Sequence, residues 1–476
     1  MVYGHGGETS VRDFATKLTT YDWVLRSFHP STKDRPALTK VQVFLLSDVG
    51  ELQRVAPLSR PSTQGFYSAV NEGVFAFAVN SPDFGGDDVL FHEYAHHFML
   101  ENFPTAYPAW FIEGWAEYFM TTEITKEHVK IGGYNPARAF AIFNETWLPM
   151  SELLARSTAE TRPSRVNAYY SEAWLLTHYM RSDPTRARQL DQALRAIADG
   201  KDPVKSMEEA TGGSLERLAA SLRRYRKLQT IQFDNPGLVP KMAVTVLPRS
   251  ADDLLLDSVR LVLSPTGRVD AGFLNGVRRK AARYPGDRFA EQTLARAEFV
   301  MGDVAAGEAV MKRRLEAQAN DLEDLLLAGT GQLMAGMRDR AVQEARYRAA
   351  RPLLGKAYGL DKNDFRTLYA YALSRSIEPK YPNDNDLAAL REAHYLAPSV
   401  QEITFRYGAG LLQKGQRADA VRMLTPLIND PHGGEMAAQV RTMLEQGGAG
   451  SLPDAGSSQD AAKSPQPSGQ PSAPAN

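Results

Sequence analysis

Two histidines four residues apart, His92 and His96, with a glutamate at 93, are the residues of this 476-residue chain best suited to chemistry. Positions four apart share one face of an α-helix about 6 Å along its axis, so both imidazole nitrogens can reach a single cation. Glu93, one step past the first histidine, is rotated off that face toward the cation's open position, where a carboxylate serves as general base. A catalytic zinc keeps three protein ligands and a water, so a third donor must come from elsewhere in the chain. The sequence has no cysteine, which leaves histidine and carboxylate donors.

Glu113 is the best third donor. It belongs to the stretch Trp110-Phe111-Ile112-Glu113-Gly114-Trp115-Ala116-Glu117, in which Ile112, Ala116, Phe119 and Met120 can pack while Glu113 and Glu117 share one face. Two acids at this spacing usually lie on a solvated helix face. Here the interleaved Trp110, Phe111, Trp115, Tyr118 and Phe119 make the segment too apolar for a free surface helix, so a ligand and its supporter fit better.

These residues need rigid elements beneath them. Asp87 and Asp88 precede an apolar run of Val89, Leu90, Tyr94, Phe98 and Met99 that ends at Pro104, which predicts one helix over 87–102. Upstream, 72–80 alternates large and small apolar residues at period two and reads as a strand, as does 40–46. Helical spacing recurs from Pro184 through Leu222, and the unit closes near Arg226 as an α+β arrangement.

HEYAH, sixteen intervening residues and then EGWAE resembles the gluzincin zinc metallopeptidases, and within them the bacterial peptidase MA-like proteins. The resemblance implies a zincin-like fold, a mixed sheet plus active-site helices, with one zinc ion per chain held by His92, His96 and Glu113. It also implies Glu93 as catalytic base and Glu117 as the acid behind His92, where a carboxylate fixes an imidazole's tautomer and raises its basicity. The segment 167–179 resembles the family's tyrosine-bearing helix, whose tyrosine steadies the oxyanion; alignment favours Tyr170, with Tyr169 and His178 as alternatives. In such enzymes a sheet-edge strand pairs with extended substrate, a role the resemblance offers to 72–80, which reads equally well as an inner strand. Val2-Tyr3-Gly4 and 11–28 resemble the family's opening strand and helix. That opening looks truncated, so an omitted leader would make the protein exported or periplasmic, and without one it would be cytoplasmic.

His5, His29, His97, His128, His394 and His432 have no comparable partners and receive no chemistry. There is no Gly-rich phosphate loop or nucleophile elbow. A net charge of −1 gives no reason to expect nucleic acid or an anionic surface as partner, and no apolar run reaches the length of a membrane span.

Two prolines and a glycine within 232–240 break helical periodicity, so 1–232 reads as the peptidase-like domain and 233–251 as a linker. From 252 to 445 the pattern is helical and hides a repeat: Gly329, Gly336 and Ala341 recur with the same spacing as Gly408, Gly415 and Ala420. Ala295 and Gly302 precede Gly329 and Gly336 by 34 residues, the tetratricopeptide period, and 352–386 interrupts the series. An all-α, tetratricopeptide-like domain follows from this reading, offering a surface for a protein partner or substrate. The Pro-, Ser- and Gly-rich residues 446–476 are expected to be disordered. The composite expectation is a zinc-dependent peptidase joined to a protein-binding helical array. Its rival is an array-based interaction protein whose metal domain is catalytically idle.

Overall fold

The computed structural model describes residues 1–4, 7–57, 59, 63–79, 86–263, 271–431 and 433–446. Its first part runs β1 (Val2–Gly4), α1 (Gly7–Phe28), β2 (Val41–Leu46), α2 (Val49–Val55), β3 (Gly65–Val70), β4 (Gly73–Val79), α3 (Gly86–Asn102) and α4 (Ala109–Met120). It continues through β5 (Glu123–Ile124), β6 (His128–Ile131), α5 (Pro136–Asn144), α6 (Met150–Ala155), α7 (Val166–Arg181), α8 (Pro184–Ala198), α9 (Pro203–Thr211), α10 (Leu215–Arg224) and β7 (Ile231–Asp234).

β1, β2 and β4 are parallel and β3 returns antiparallel along the edge, in the order β1-β2-β4-β3. Successive strand residues face opposite sides, so the Phe-Ala-Phe-Ala run of β4 sorts the sheet's faces by size. Ala76 and Ala78 join Val43, Leu45 and Leu90 beneath α1 and α3, while Phe75 and Phe77 join Phe44, Leu52 and Val55 on the other face. Small residues on the first face let α3 lie close to the sheet. Gly65 of β3 does the same, since a Cβ there would stand 2.4 Å from the Phe77 carbonyl oxygen and 2.9 Å from Val89 Cγ1.

This topology settles the place of 72–80. Every residue of β4 is buried and the strand lies inside the sheet, so it is not the edge that an extended substrate would join. A strand apolar on both faces is covered on both faces. The edges are β1 and, beside β4, β3, which the sequence analysis did not single out. Asn80 lies outside the described residues.

α1 anchors α3 from below: the Tyr21 hydroxyl donates to the Phe91 carbonyl (2.9 Å), the two rings stack at 4.0 Å, and the Tyr94 hydroxyl donates to Asp22 (2.9 Å). β5, β6 and β7 form a second, antiparallel sheet. β7 therefore takes Phe233 and Asp234 out of the expected 233–251 linker, which loses Ser250 and Ala251 to the next helix as well.

Helix then follows helix: α11 (Ser250–Leu263), α12 (Ala271–Ala281), α13 (Arg288–Met301), α14 (Val304–Ala317), α15 (Leu322–Arg338), α16 (Gln343–Leu360), α17 (Phe365–Ser374), α18 (Asp384–Leu396), α19 (Gln401–Gln413), α20 (Arg417–Ile428) and α21 (Gly434–Glu445). Side-chain caps from Asp287, Asp303, Asp321, Asp364 and Asn383 start five of them. The interruption expected at 352–386 is itself largely helical, formed by the end of α16, by α17 and by the start of α18.

Only part of the small-residue repeat has a shared cause. Gly329 and Gly408 each sit under a leucine of the following helix, where a Cβ would come within 2.7 Å of Leu354 and 2.5 Å of Leu424. The other two pairs diverge. Gly336 packs on Tyr347 inside α15, whereas Gly415 turns the chain at φ 74°, and Ala341 is exposed where Ala420 is buried.

The helical array packs on the sheet unit. Leu256 and Val259 of α11 enter the core of Phe44, Phe75 and Phe77, and Val74 enters the cluster of Leu333, Tyr347 and Ile403. Arg296 pairs with Glu72 (2.5 Å), the Thr39 hydroxyl donates to the Leu396 carbonyl (3.0 Å), and the Asn429 amide donates to the Ala106 carbonyl (3.1 Å). Part of the array's apolar surface is thus taken up by the chain's own sheet. No helix among the described residues is long and apolar enough to cross a membrane. Of the tail expected to be disordered, only Gln446 is described, as the cap of α21; 447–476 lie outside the described residues.

Candidate metal centre

α3 covers the helix expected over 87–102, with Asp87 and Asp88 in its first turn. His92 and His96 project from one face with their Nε2 atoms 3.0 Å apart. α4 crosses alongside and places Glu113 Oε2 3.4 Å from His92 Nε2 and 3.5 Å from His96 Nε2. Three donors held about 2.0–2.1 Å from a tetrahedral ion would stand about 3.3 Å from one another. The triangle observed, with edges of 3.0, 3.4 and 3.5 Å, fits that requirement, and these three residues form a group able to hold a metal ion.

The solvated-face alternative for α4 fails on burial: Glu113 and Glu117 are both 0 % exposed. Burying two carboxylates is costly unless cations or strong donors meet them. Glu117 receives the Arg138 guanidinium as a fork, Nε to Oε2 at 2.9 Å and Nη2 to Oε1 at 2.7 Å. The same Oε1 lies 3.6 Å from His92 Nδ1, which places Glu117 behind the imidazole. Burial alone would pull the His92 imidazolium down, but Glu113, Glu117 and Glu93 together hold it above its ordinary value.

Gly114 explains how α7 reaches this centre. A Cβ at 114 would stand 2.3 Å from both the Ala173 carbonyl oxygen and Thr177 Oγ1, so only glycine lets α4 and α7 approach this closely. α7 carries all three oxyanion candidates. The Tyr169 hydroxyl donates to the Arg156 carbonyl (2.7 Å), and both His178 nitrogens are engaged, with the Tyr225 hydroxyl (2.9 Å) and the Gly132 carbonyl (3.0 Å). Tyr170 alone faces the centre, its ring centroid 6.4 Å from that of His92. Desolvation, reinforced by the Glu113 carboxylate, raises its phenol well above the ordinary value and keeps it a proton donor.

No family model, curated protein or solved structure matches the chain. The site's own geometry therefore carries the reading.

Glu93 is partly buried and adjoins His92 in the chain. Sequence reasoning missed Arg138, although the signal was visible: it is the sole charge in the apolar helix PARAFAIFN. His97, assigned no chemistry, is a buried tie between α3 and β3, with Nδ1 3.0 Å from the Tyr67 hydroxyl and Nε2 2.8 Å from Glu101. Among the other histidines, His128 and His394 meet Thr125 and Thr404, His29 packs among Phe98, Phe103 and Trp115, and His5 and His432 lie outside the described residues.

Proposed function

We propose that the chain is a zinc-dependent peptidase of gluzincin type, with His92, His96 and Glu113 as the metal ligands. The observation that carries this reading is the triangle of donor atoms, assembled from two helices and matched in size to a tetrahedral ion, beside a glutamate one residue past the first histidine. Bound there, zinc supplies a Lewis acid for the scissile carbonyl and lowers the pKa of water.

The chain's own groups do the rest. The Glu93 carboxylate takes a proton from the attacking water and returns it to the leaving nitrogen. The Tyr170 hydroxyl, kept protonated by its burial, donates to the carbonyl oxygen as negative charge develops on it. Glu117 Oε1, 3.6 Å behind His92 Nδ1, would accept from that nitrogen and turn Nε2 to the metal. The tetratricopeptide-like array would add a binding surface for a protein substrate or partner beyond the part that packs on the sheet.

The test combines metal stoichiometry with digestion of a broad peptide library. One zinc per chain and cleavage that disappears in Glu93→Gln with zinc retained is the expected result. Unchanged hydrolysis in Glu93→Gln refutes the assignment of the base. Zinc binding without any cleavage by the unaltered chain would favour the idle metal domain instead.

A further inference from the structure

Arg138 occupies a place that neither metal binding nor catalysis has so far assigned. It sits in the first turn of α5, where the Asn135 side chain caps the helix by accepting from the Ala137 and Arg138 amides at 2.9 and 3.4 Å. The side chain is only 3 % exposed, and its donors are spent in two directions. Nε and Nη2 clasp both oxygens of Glu117, while Nη1 donates to Asn167 Oδ1 at 2.8 Å, whose own amide donates to Glu145 at 2.6 Å. The guanidinium also lies over the Tyr170 ring, 4.8 Å from its centroid. One side chain therefore touches both the acid behind His92 and the tyrosine that faces it.

A buried ion pair adds little net stability over a well-packed apolar pair, so stability alone is a weak reason for this arrangement. Geometry gives a stronger one. A carboxylate held by a planar two-point fork cannot rotate, and its Oε1 stays directed at His92 Nδ1. A lysine would bring the charge without the fork or the flat face that stacks on Tyr170. From these contacts we infer that Arg138 is a positioning residue: it fixes the Glu117 carboxylate and the Tyr170 ring, and through Glu117 it sets the orientation in which His92 receives the metal. This inference rests on the metal-ligand reading above.

The test is zinc affinity of the full chain, measured by competition with a chromogenic chelator, alongside thermal melts. Loss of a partner one step behind a metal ligand weakens affinity about 10–100-fold. Arg138→Lys, which keeps the charge and acts one step further back through Glu117, should weaken binding toward the lower end of that range, about 10-fold, relative to the unaltered chain. Glu117→Gln with Arg138→Met, which removes both buried charges and so protects folding, should bind zinc no more weakly than Glu117→Gln alone, because Arg138 acts through Glu117. Affinity unchanged in Arg138→Lys, even with a lowered melting temperature, overturns the inference and leaves the metal reading intact. So does a double variant that binds zinc more weakly than Glu117→Gln alone. An unaltered chain that binds no zinc overturns both.

Discussion

Replacing Gly114 by alanine probes the contact that brings α7, and with it Tyr170, to the centre. The added methyl would meet the Ala173 carbonyl oxygen at 2.3 Å and its carbon at 2.7 Å, where ordinary contact begins at 3.4 Å. The obstacle is helix backbone and cannot swing aside, so α4 and α7 must part by about 1 Å. Overpacking of this kind costs about 1–3 kcal/mol, and a backbone clash places Gly114→Ala at the upper end, about 3 kcal/mol. The parting also moves Tyr170 away from His92, beyond the roughly 0.5 Å that a functional constellation tolerates, so any hydrolysis should fall further than stability. Urea unfolding of the full chain reads the first effect. Gly276→Ala is the control, because a Cβ there meets nothing within 4 Å inside α12 and should stabilise by up to about 1 kcal/mol. If Gly114→Ala unfolds at the same urea concentration as the unaltered chain, the two helices do not pack backbone against backbone and Tyr170 is not brought to the centre in this way.

Zinc should raise the melting temperature of chelator-treated protein, by an amount equivalent to about 4 kcal/mol at a thousandfold excess over Kd, and His96→Ala should abolish that response in a thermal-shift assay. Glu172 is buried, accepts from the Leu148 amide, and is pushed up by burial to about 7. Its folded pKa thus exceeds the ordinary carboxyl value, so its charge costs stability above pH 7 and the cost disappears as pH falls toward 4.5. Glu172→Gln should therefore stabilise at pH 8, by on the order of 3 kcal/mol, and give no gain at pH 4.5 in paired urea melts. Burial lowers His29 and His394 to about 4, so both stay neutral in the fold while the unfolded chain takes up protons below about 6.5. Stability should decline from pH 6.5 to 4, and His394→Gln should flatten that slope; an unchanged slope would show that His394 titrates normally.

The local parts of the centre were legible because they rest on helical periodicity. The spacing of His92 and His96 and the apolar residues around them specify α3 to within a residue, and the aromatic crowding around Glu113 foretold that its helix would be buried. Pairwise choices between neighbours were not legible. Tyr169, Tyr170 and His178 lie on one helix with similar chemistry, and only the surroundings, Arg156 behind one and Gly132 and Tyr225 around another, leave Tyr170 facing His92. Arg138 escaped notice because its partner Glu117 is 21 residues away, and no local pattern relates a fork to a distant acid. The alternation in β4 announced a strand with one large and one small face, yet its place inside the sheet depends on the parallel pairing with β2, which is non-local, whereas β3 meets it in a local hairpin.

What the sequence determined alone is the set of elements and the donors they carry: side-chain spacing along a helix follows from its 3.6-residue turn and needs no partner. What only the tertiary structure decided is the closing of the centre. Distances of 3.4 and 3.5 Å between Glu113 and the two imidazoles depend on how α4 lies across α3, and Tyr170 depends on the gap that Gly114 leaves for α7. The packing of the array against the sheet unit belongs to the same class. Val74 and Leu333, far apart in the chain, share a core because both are apolar surfaces with no other cover, a circumstance that no single helix or strand can express.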